Sequence, residues 1–280
     1  MKDNKVRQLT LFLCKIMKIS DFLKIDYDTS LIALTYILDK SKSYILMNQN
    51  LELNNKQIER LKDIINKREN SYPLQYAIGE REFYNIRLKV DKRALIPRFE
   101  TEIIVDYLIK SQMKKDSILD IGTGSGAIAI SLAKNIENTF VIGSDIEDNA
   151  LSLAMENKEF TGIENVDFVK SDLFNNIKGK FDLIISNPPY INKKDYESLD
   201  KELYFEPKSA LYGGCDGLDF YREIIKNSSK YLNNKGHLVF EIGYDQKNIL
   251  NRLLKDEGFV NIENIKDFND FDRFIIAQKG

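Results

Sequence analysis

Apolar positions along the chain change their period once. Through residues 1–70 they recur at helical spacing, with Leu31, Leu34, Ile37 and Leu38 on one stripe and Ile58, Leu61, Ile64 and Ile65 on another. This stretch has neither Gly nor Pro, and Ser20-Asp21, Asp28-Thr29-Ser30 and Asn54-Asn55 are residue types that open helices. The pattern predicts an all-helical domain of about four helices over residues 1–75. At Ser71-Tyr72-Pro73 the texture changes. Residues 78–90 alternate around Asn85, which predicts a β-hairpin, read as a linker over 76–93. Short apolar runs then alternate with helical ones. Strands are expected at 117–121, 140–144, 166–170, 181–186 and 237–242, helices at 127–134, 150–160, 218–232 and 246–257, and a terminal antiparallel hairpin from 259–265 and 271–278. Alternating β and α units call for an α/β architecture over 94–280, a doubly wound and mostly parallel sheet.

Composition narrows the chemistry. Among 280 residues there are one His, two Cys and no Trp. Cys14, Cys215 and His237 cannot assemble a Cys₄, Cys₂His₂ or His₃ zinc site, and two distant Cys make no disulfide framework. His237 sits in the apolar run Gly-His-Leu-Val-Phe, which reads as a strand residue without catalytic duty. No metal site is expected, so the chemistry must run on amides, carboxylates, backbone or a bound cofactor. No stretch approaches the length of a membrane span, and the apolar run 9–17 is short, broken by Lys15 and without a small-residue cleavage site. A reduced, cytoplasmic setting is the expectation. Net charge is −2, which does not favour nonspecific binding to nucleic acid. The charge is uneven: residues 1–72 hold 13 Lys+Arg against 9 Asp+Glu, a net of +4, and the remainder is −6.

Between the first strand and its helix lies Asp120-Ile121-Gly122-Thr123-Gly124-Ser125-Gly126. Glycines let the backbone turn tightly and let a ligand approach, and the following helix presents free N–H groups. Gly122, Gly124 and Ala127 match the dinucleotide pattern G-x-G-x-x-G/A, whereas no Gly-Lys-Ser/Thr follows, which excludes a phosphate loop of the Walker type. Asp145 ends the second strand, where a carboxylate can accept both hydroxyls of a ribose. Loop and acid together point to an adenosine, with NAD and S-adenosylmethionine both open. Ser171-Asp172, after the third strand, can place a carboxylate near an adenine amine.

The most specific short signal is Asn187-Pro188-Pro189-Tyr190, set directly after the strand 181–186. The proline pair fixes φ twice and removes two donors, so the Pro188 carbonyl is free and rigidly aimed. Asn187 is held extended by the proline after it and offers a second acceptor. With the Tyr190 ring, these can grip a planar –NH₂. An amide nitrogen is a poor nucleophile because its lone pair is delocalised. Two acceptors on its hydrogens orient that lone pair toward an electrophilic methyl group and stabilise positive charge developing on nitrogen.

Nearly the whole chain resembles the protein-(glutamine-N5) methyltransferases that modify peptide-chain release factors, the PrmC/HemK family. The resemblance is carried by Pro73-Leu74-Gln75-Tyr76, Gly79-Glu80-Arg81-Glu82-Phe83, Leu95-Ile96-Pro97-Arg98-Phe99-Glu100-Thr101-Glu102, residues 118–129, residues 186–191, Phe205-Glu206-Pro207 with Ala210-Leu211, and Glu241-Ile242-Gly243. It implies a seven-stranded, Rossmann-like S-adenosylmethionine-dependent methyltransferase domain behind a helical domain that recognises the release factor. It implies that Gly122, Thr123, Gly124, Ser125, Gly126, Asp145 and Asn187 bind S-adenosyl-L-methionine, with Leu173 against the adenine and S-adenosyl-L-homocysteine as product, and Asp172 joins this set from its place beside the adenine amine. Asn187, Pro188, Pro189 and Tyr190 would bind the glutamine of the Gly-Gly-Gln motif, with Asn187, Pro188 and Tyr190 catalytic. Thr101 and Glu102 would start a helix over the cofactor. The chain departs from the family with Leu173 where an aromatic is common and Phe99 where Pro is usual. The partners expected are class-I release factors, with no membrane, no direct nucleic acid and a monomeric chain. The competing expectation is methylation of an exocyclic amine on DNA adenine or rRNA guanine, whose enzymes share an Asn/Asp-Pro-Pro-aromatic turn. The −6 charge of the catalytic portion stands against a nucleic-acid groove.

Overall fold

The computed structural model describes residues 17–280, so Cys14 and nearly all of the apolar run 9–17 lie outside the described residues. The chain divides into two units at Gly79/Glu80.

The first unit is helical: α1 (Ile19–Ile25), α2 (Tyr27–Leu38), α3 (Lys42–Met47), α4 (Asn55–Glu69) and α5 (Leu74–Ile78). The expected stripes meet in its core, where Leu34, Leu61, Ile64 and Ile65 pack with Phe22 and Ile45. Asn54 caps α4 as expected, in a reciprocal box with Gln57. Asp26, not Asp28, caps α2 by accepting the Thr29 N–H at 3.1 Å, so that helix starts earlier than the Asp-Thr-Ser run implied. The short α5 follows Pro73 and ends on Gly79 at φ 90°, and Arg60 donates to the carbonyls of Ala77 and Ile78 at its end. Five residues are too few to display a period, so the sequence pattern gave no sign of it.

The second unit opens with a hairpin, β1 (Glu80–Phe83) and β2 (Ile86–Lys89). It is shorter than the expected linker, because Tyr84 and Asn85 both take positive φ and close a two-residue turn. Then come α6 (Phe99–Lys110), β3 (Ser117–Ile121), α7 (Ala127–Asn135), β4 (Phe140–Asp145), α8 (Asp148–Thr161), β5 (Val166–Lys170), β6 (Phe181–Ser186), α9 (Lys193–Tyr196), α10 (Asp219–Tyr231), β7 (Leu232–Glu241), α11 (Lys247–Asp256), β8 (Phe259–Lys266) and β9 (Asp272–Lys279). Seven strands form one sheet in the order β5-β4-β3-β6-β7-β9-β8. The first five are parallel, and β9 joins β7 antiparallel and pairs with β8. The seven-stranded methyltransferase topology and the terminal hairpin are as expected.

All six residues of β6 are buried; its apolar Phe181, Leu183, Ile184 and Ile185 suit a central parallel strand, while Asp182 is satisfied by Ser117 and Asn233. Its neighbours alternate faces. Leu183 and Ile185 pack with α6 and α7, whereas Ile184 packs with α10 and α11. Strand order reverses between β3 and β6, and in such sheets the crevice at the carboxyl ends beside the reversal receives ligands. The segments after β3 and β6 are the glycine loop and the Asn-Pro-Pro-Tyr turn, so topology delivers both motifs to one place.

Candidate active site

At that reversal lies a cavity of about 530 Å³, within the size range of ligand sites. Gly122, Thr123, Gly124, Ser125, Asp145, Asp172, Leu173, Asn187, Pro188 and Pro189 line it. These residues are separated by up to 67 positions in sequence and come from the ends of four adjacent strands. Gly126 and Tyr190 are not on its wall.

Gly126 has a packing role. It takes φ 79° at the start of α7, and a Cβ there would lie 2.9 Å from the Phe168 ring. Its missing side chain lets β5 close against the loop. The loop itself is anchored to Asp145, whose Oδ2 accepts the Gly124 N–H at 2.9 Å while Oδ1 accepts the Glu147 N–H at 3.0 Å. Each oxygen keeps a further lone pair for a hydroxyl donor. Burial pushes the Asp145 carboxyl up, and the backbone donors of Glu147 and Gly124 oppose it. Beneath the loop, Asp120 accepts the Thr123 hydroxyl at 2.7 Å, and its other oxygen is buried without a partner. Burial holds this carboxyl up at about 7.

Leu173 reaches the wall from a turn with φ 48°, which is costly for a residue with a side chain. Ser171 secures the turn by donating to the Leu173 carbonyl at 2.8 Å and accepting the Asn176 N–H at 3.0 Å. Arg93 and Arg98 also line the cavity. Arg93 bridges Asp91 and Glu156, and Arg98 donates to the buried Glu206 at 2.6 Å, which also accepts the Ile96 N–H at 3.0 Å. Glu206 thereby ties the Phe-Glu-Pro segment to the Pro-Arg segment, two stretches quoted above without a role.

The Asn-Pro-Pro-Tyr turn is strapped from behind. The Tyr190 ring packs with the apolar cluster that contains Leu119, Ile184 and Phe240. Burial first, then the Glu241 carboxylate, push its hydroxyl up to about 12. The Tyr190 carbonyl accepts from the Gln246 side chain at 3.2 Å, and the same amide donates to Gly217 at 3.1 Å. Gly213 lies flat on the turn: a Cβ there would stand 2.4 Å from the Pro189 oxygen and 2.8 Å from the Tyr190 Cα. Gly213, Gly217 and Gln246 were missed in the sequence, where nothing local marks a residue that matters only by its distance from a remote backbone. Asn157 was missed likewise. Fully buried on α8, it pairs with both backbone groups of Lys89 at 2.7 and 3.0 Å and donates to the Ser125 carbonyl at 3.0 Å, joining the hairpin to the glycine loop.

Thr101 lies on the cavity wall and is buried. Helix α6 begins at Phe99, two residues before the expected Thr101 start, with Arg98 as its extended cap residue. His237 lies within β7, four residues before its carboxyl end and away from the cavity.

Two family models match the chain: a methyltransferase small domain over residues 99–215 and a PrmC N-terminal domain over residues 28–79. A release factor glutamine methyltransferase from Fusobacterium nucleatum is 46% identical over 74% of this chain, which covers 60% of that relative's length. One from Buchnera aphidicola is 41% identical over 88% of this chain and 89% of its own, and one from Thermodesulfovibrio yellowstonii is 41% identical over 87% and 88%. Among solved structures, a ribosomal protein L11 methylase from Lactobacillus delbrueckii is similar in fold, with TM-score 0.51, 23% identity and coverage of 67% of this chain and 82% of that one. A methyltransferase from Pyrococcus furiosus has TM-score 0.53, 20% identity and coverage of 81% and 100%.

Proposed function

This chain belongs to the release factor glutamine methyltransferases, and from that membership we propose that it methylates the N5 side-chain nitrogen of the glutamine in the Gly-Gly-Gln motif of peptide-chain release factors. S-adenosylmethionine is the donor and S-adenosylhomocysteine the product. The observation that carries the reading is the convergence of Asn187-Pro188-Pro189 with the glycine loop and Asp145 on one cavity.

The residues present fit the donor. Asp145 retains acceptor capacity for a ribose, the glycine loop offers backbone without side chains, and Leu173 and Ile146 supply apolar wall for a base, with Asp172 beside them. Bound there, the donor supplies a sulfonium methyl that is already activated. The chain's own work is orientation. Asn187 Oδ1 and the Pro188 carbonyl accept the two hydrogens of the glutamine amide and turn its lone pair outward. Pro189 keeps that carbonyl from moving, and Tyr190 holds the turn from behind through its packed ring and its bond to Gln246. A preformed pair of acceptors needs no reorganisation when positive charge develops on nitrogen, which is where such sites gain their rate.

We assign recognition of the release factor to the helical unit and place the reaction in the cytoplasm, with the chain acting as a monomer. No described helix is long and apolar enough to cross a membrane. The test is to incubate the full chain with methyl-labelled S-adenosylmethionine and purified release factor, or with DNA and rRNA, and to map the label by mass spectrometry. Label on the Gly-Gly-Gln glutamine is expected. Label on nucleic acid alone would overturn the assignment in favour of exocyclic-amine methylation.

A further inference from the structure

One hydrogen-bonded pair at the site has no part in gripping the amide. Thr101 Oγ1, on the cavity wall, donates to Oε2 of Glu241 at 2.6 Å. Glu241 is the last residue of β7 and only 3% exposed. Ser186 on β6 is in register with Phe240 on β7, so one step further along each strand Glu241 stands level with Asn187. The groups facing Glu241 come from every element around it. Arg98 and Glu100 belong to the start of α6, Tyr190 to the turn after β6, and Arg273 to β9; from α10, Tyr221 donates its hydroxyl to the Glu241 backbone carbonyl at 2.7 Å. Arg98 is bonded to Glu206, and Arg273 to Asp267 at 3.1 Å.

A primary amide that gains a methyl group must lose one of its two protons. Asn187 Oδ1 and the Pro188 carbonyl hold both hydrogens, but neither oxygen is basic enough to keep one. Resting on the function proposed above, we infer that Thr101 and Glu241 are the exit route for the proton released when the glutamine nitrogen is methylated. The N5–C bond forms as the S–C bond of the sulfonium donor breaks, with the S–C electron pair remaining on sulfur. Once the N5–C bond has formed, one N5–H leaves its carbonyl acceptor and passes its proton to Thr101 Oγ1, and the hydroxyl proton of Thr101 passes to Glu241 Oε2. A sulfonium and a carboxylate thereby become a thioether and a carboxylic acid. Two opposite charges in a water-poor site are neutralised together, which a low-dielectric surrounding favours. Thr101 is the catalytic residue of the pair, and Glu241 is a positioning residue and proton store acting through it.

A second pair has the same form, Thr123 with Asp120 at 2.7 Å. Asp120 is in register with Ile185, two residues before Asn187, and lies under the glycine loop at the donor's end of the cavity. It is therefore the internal control. Burial holds the Glu241 carboxyl up at about 7, so the group gains and loses its proton within the neutral range.

The test uses the full chain, purified release factor and labelled donor under single-turnover conditions from pH 5.5 to 8.5. Glu241→Gln preserves shape and an acceptor for Thr101 but cannot take a proton. The wild-type rate is expected to rise with pH to a plateau above about 7. E241Q and T101V should run about 10²-fold slower and without that rise, whereas T101S should keep both rate and profile, and D120N should keep the rise. Donor affinity by calorimetry should be unchanged in E241Q. Carbon NMR of labelled glutamate in the ligand-free protein should show one carboxyl titrating near neutrality that disappears in E241Q. Wild-type rate and profile in E241Q, a wild-type rate in T101V, or no such carboxyl would each overturn the inference. Should E241Q fail to fold, T101V and the wild-type carbon titration decide it. Absence of label on the release factor with the wild-type chain would instead sink the proposed function, before any variant is compared.

Discussion

The side chains of Asn187 and Asp145 can each be truncated with the backbone of the sheet left in place, and their losses should differ in kind. Asn187→Ala leaves the Pro188 carbonyl as the single acceptor for the amide. Transfer should fall about 10²–10³-fold, as when one preorganised partner is taken from a transition state, while donor affinity measured by calorimetry weakens only in part. Asp145→Ala removes the anchor of Gly124 and, on the proposed function, the acceptors for the donor's hydroxyls. Hydrogen bonds to a charged group are worth about 1.5–3 kcal/mol each, so donor affinity should drop by at least about tenfold, and transfer should recover toward wild type at saturating donor. Equal loss of affinity in both variants would contradict this division of labour. These residues were legible in the sequence because their chemistry is short-ranged: a proline fixes the residue before it, and an acid at a strand end has few other uses. What the sequence did not show is that the Tyr190 ring packs against the apolar cluster of Leu119, Ile184 and Phe240.

Loops are held at this site by partners that no local rule predicts. Gly213 is the sharpest case, since a methyl group there would stand 2.4 Å from the Pro189 oxygen. Gly213→Ala must displace either the turn or the segment that carries residue 213. We expect a stability loss of about 1–3 kcal/mol, typical of overpacking, with a larger proportional loss in kcat than in donor affinity. Urea melts beside a transfer assay check it, and an unchanged kcat would show that the turn tolerates displacement. Asn157→Ala leaves the N–H and carbonyl of Lys89 and the Ser125 carbonyl without their present partner. Each buried group so stranded costs about 1–3 kcal/mol, so the midpoint in urea should fall well below that of surface variants such as Lys201→Ala. Among the elements themselves, the central strands were readable almost to the residue, because a strand buried on both faces is a short, mostly apolar run. Strand β7 was not: it begins at Leu232, five residues before the apolar run, because its polar start still pairs with β6 at Phe181. Helices α5 and α9 are too short to show a period.

At the scale of the molecule, two carboxyls buried beside the site shape how stability depends on pH. Asp120 and Glu241 are held at about 7 by burial, against ordinary values of 3.8 and 4.5. Between about pH 4.5 and 7 the folded chain keeps protons there that the unfolded chain releases, so both groups lower stability as pH rises through that window. His237, lowered from 6.5 by burial, acts in the opposite sense over part of the range, but it stands against these two groups and against Asp145 and Glu102, which burial also raises. The carboxyls with lowered values, among them Asp91, Asp182 and Asp267, lose their contribution only in stronger acid. Urea midpoints should therefore decline from pH 5 to 7, and Asp120→Asn or Glu241→Gln should flatten the decline. A midpoint that climbs over that interval would contradict the assignment. The sequence by itself determined the alternation of strands and helices, the helical region before it, and the identity of the two motifs, because periodicity, glycine freedom and proline rigidity are properties of neighbouring residues. Only the tertiary structure decided that Gly213, Gly217 and Asn157 hold the site, that Gln246 ties down the Tyr190 carbonyl, and that Thr101 meets Glu241. Those facts depend on distances between residues up to 140 positions apart, which are set by strand order and register and leave no trace in local composition.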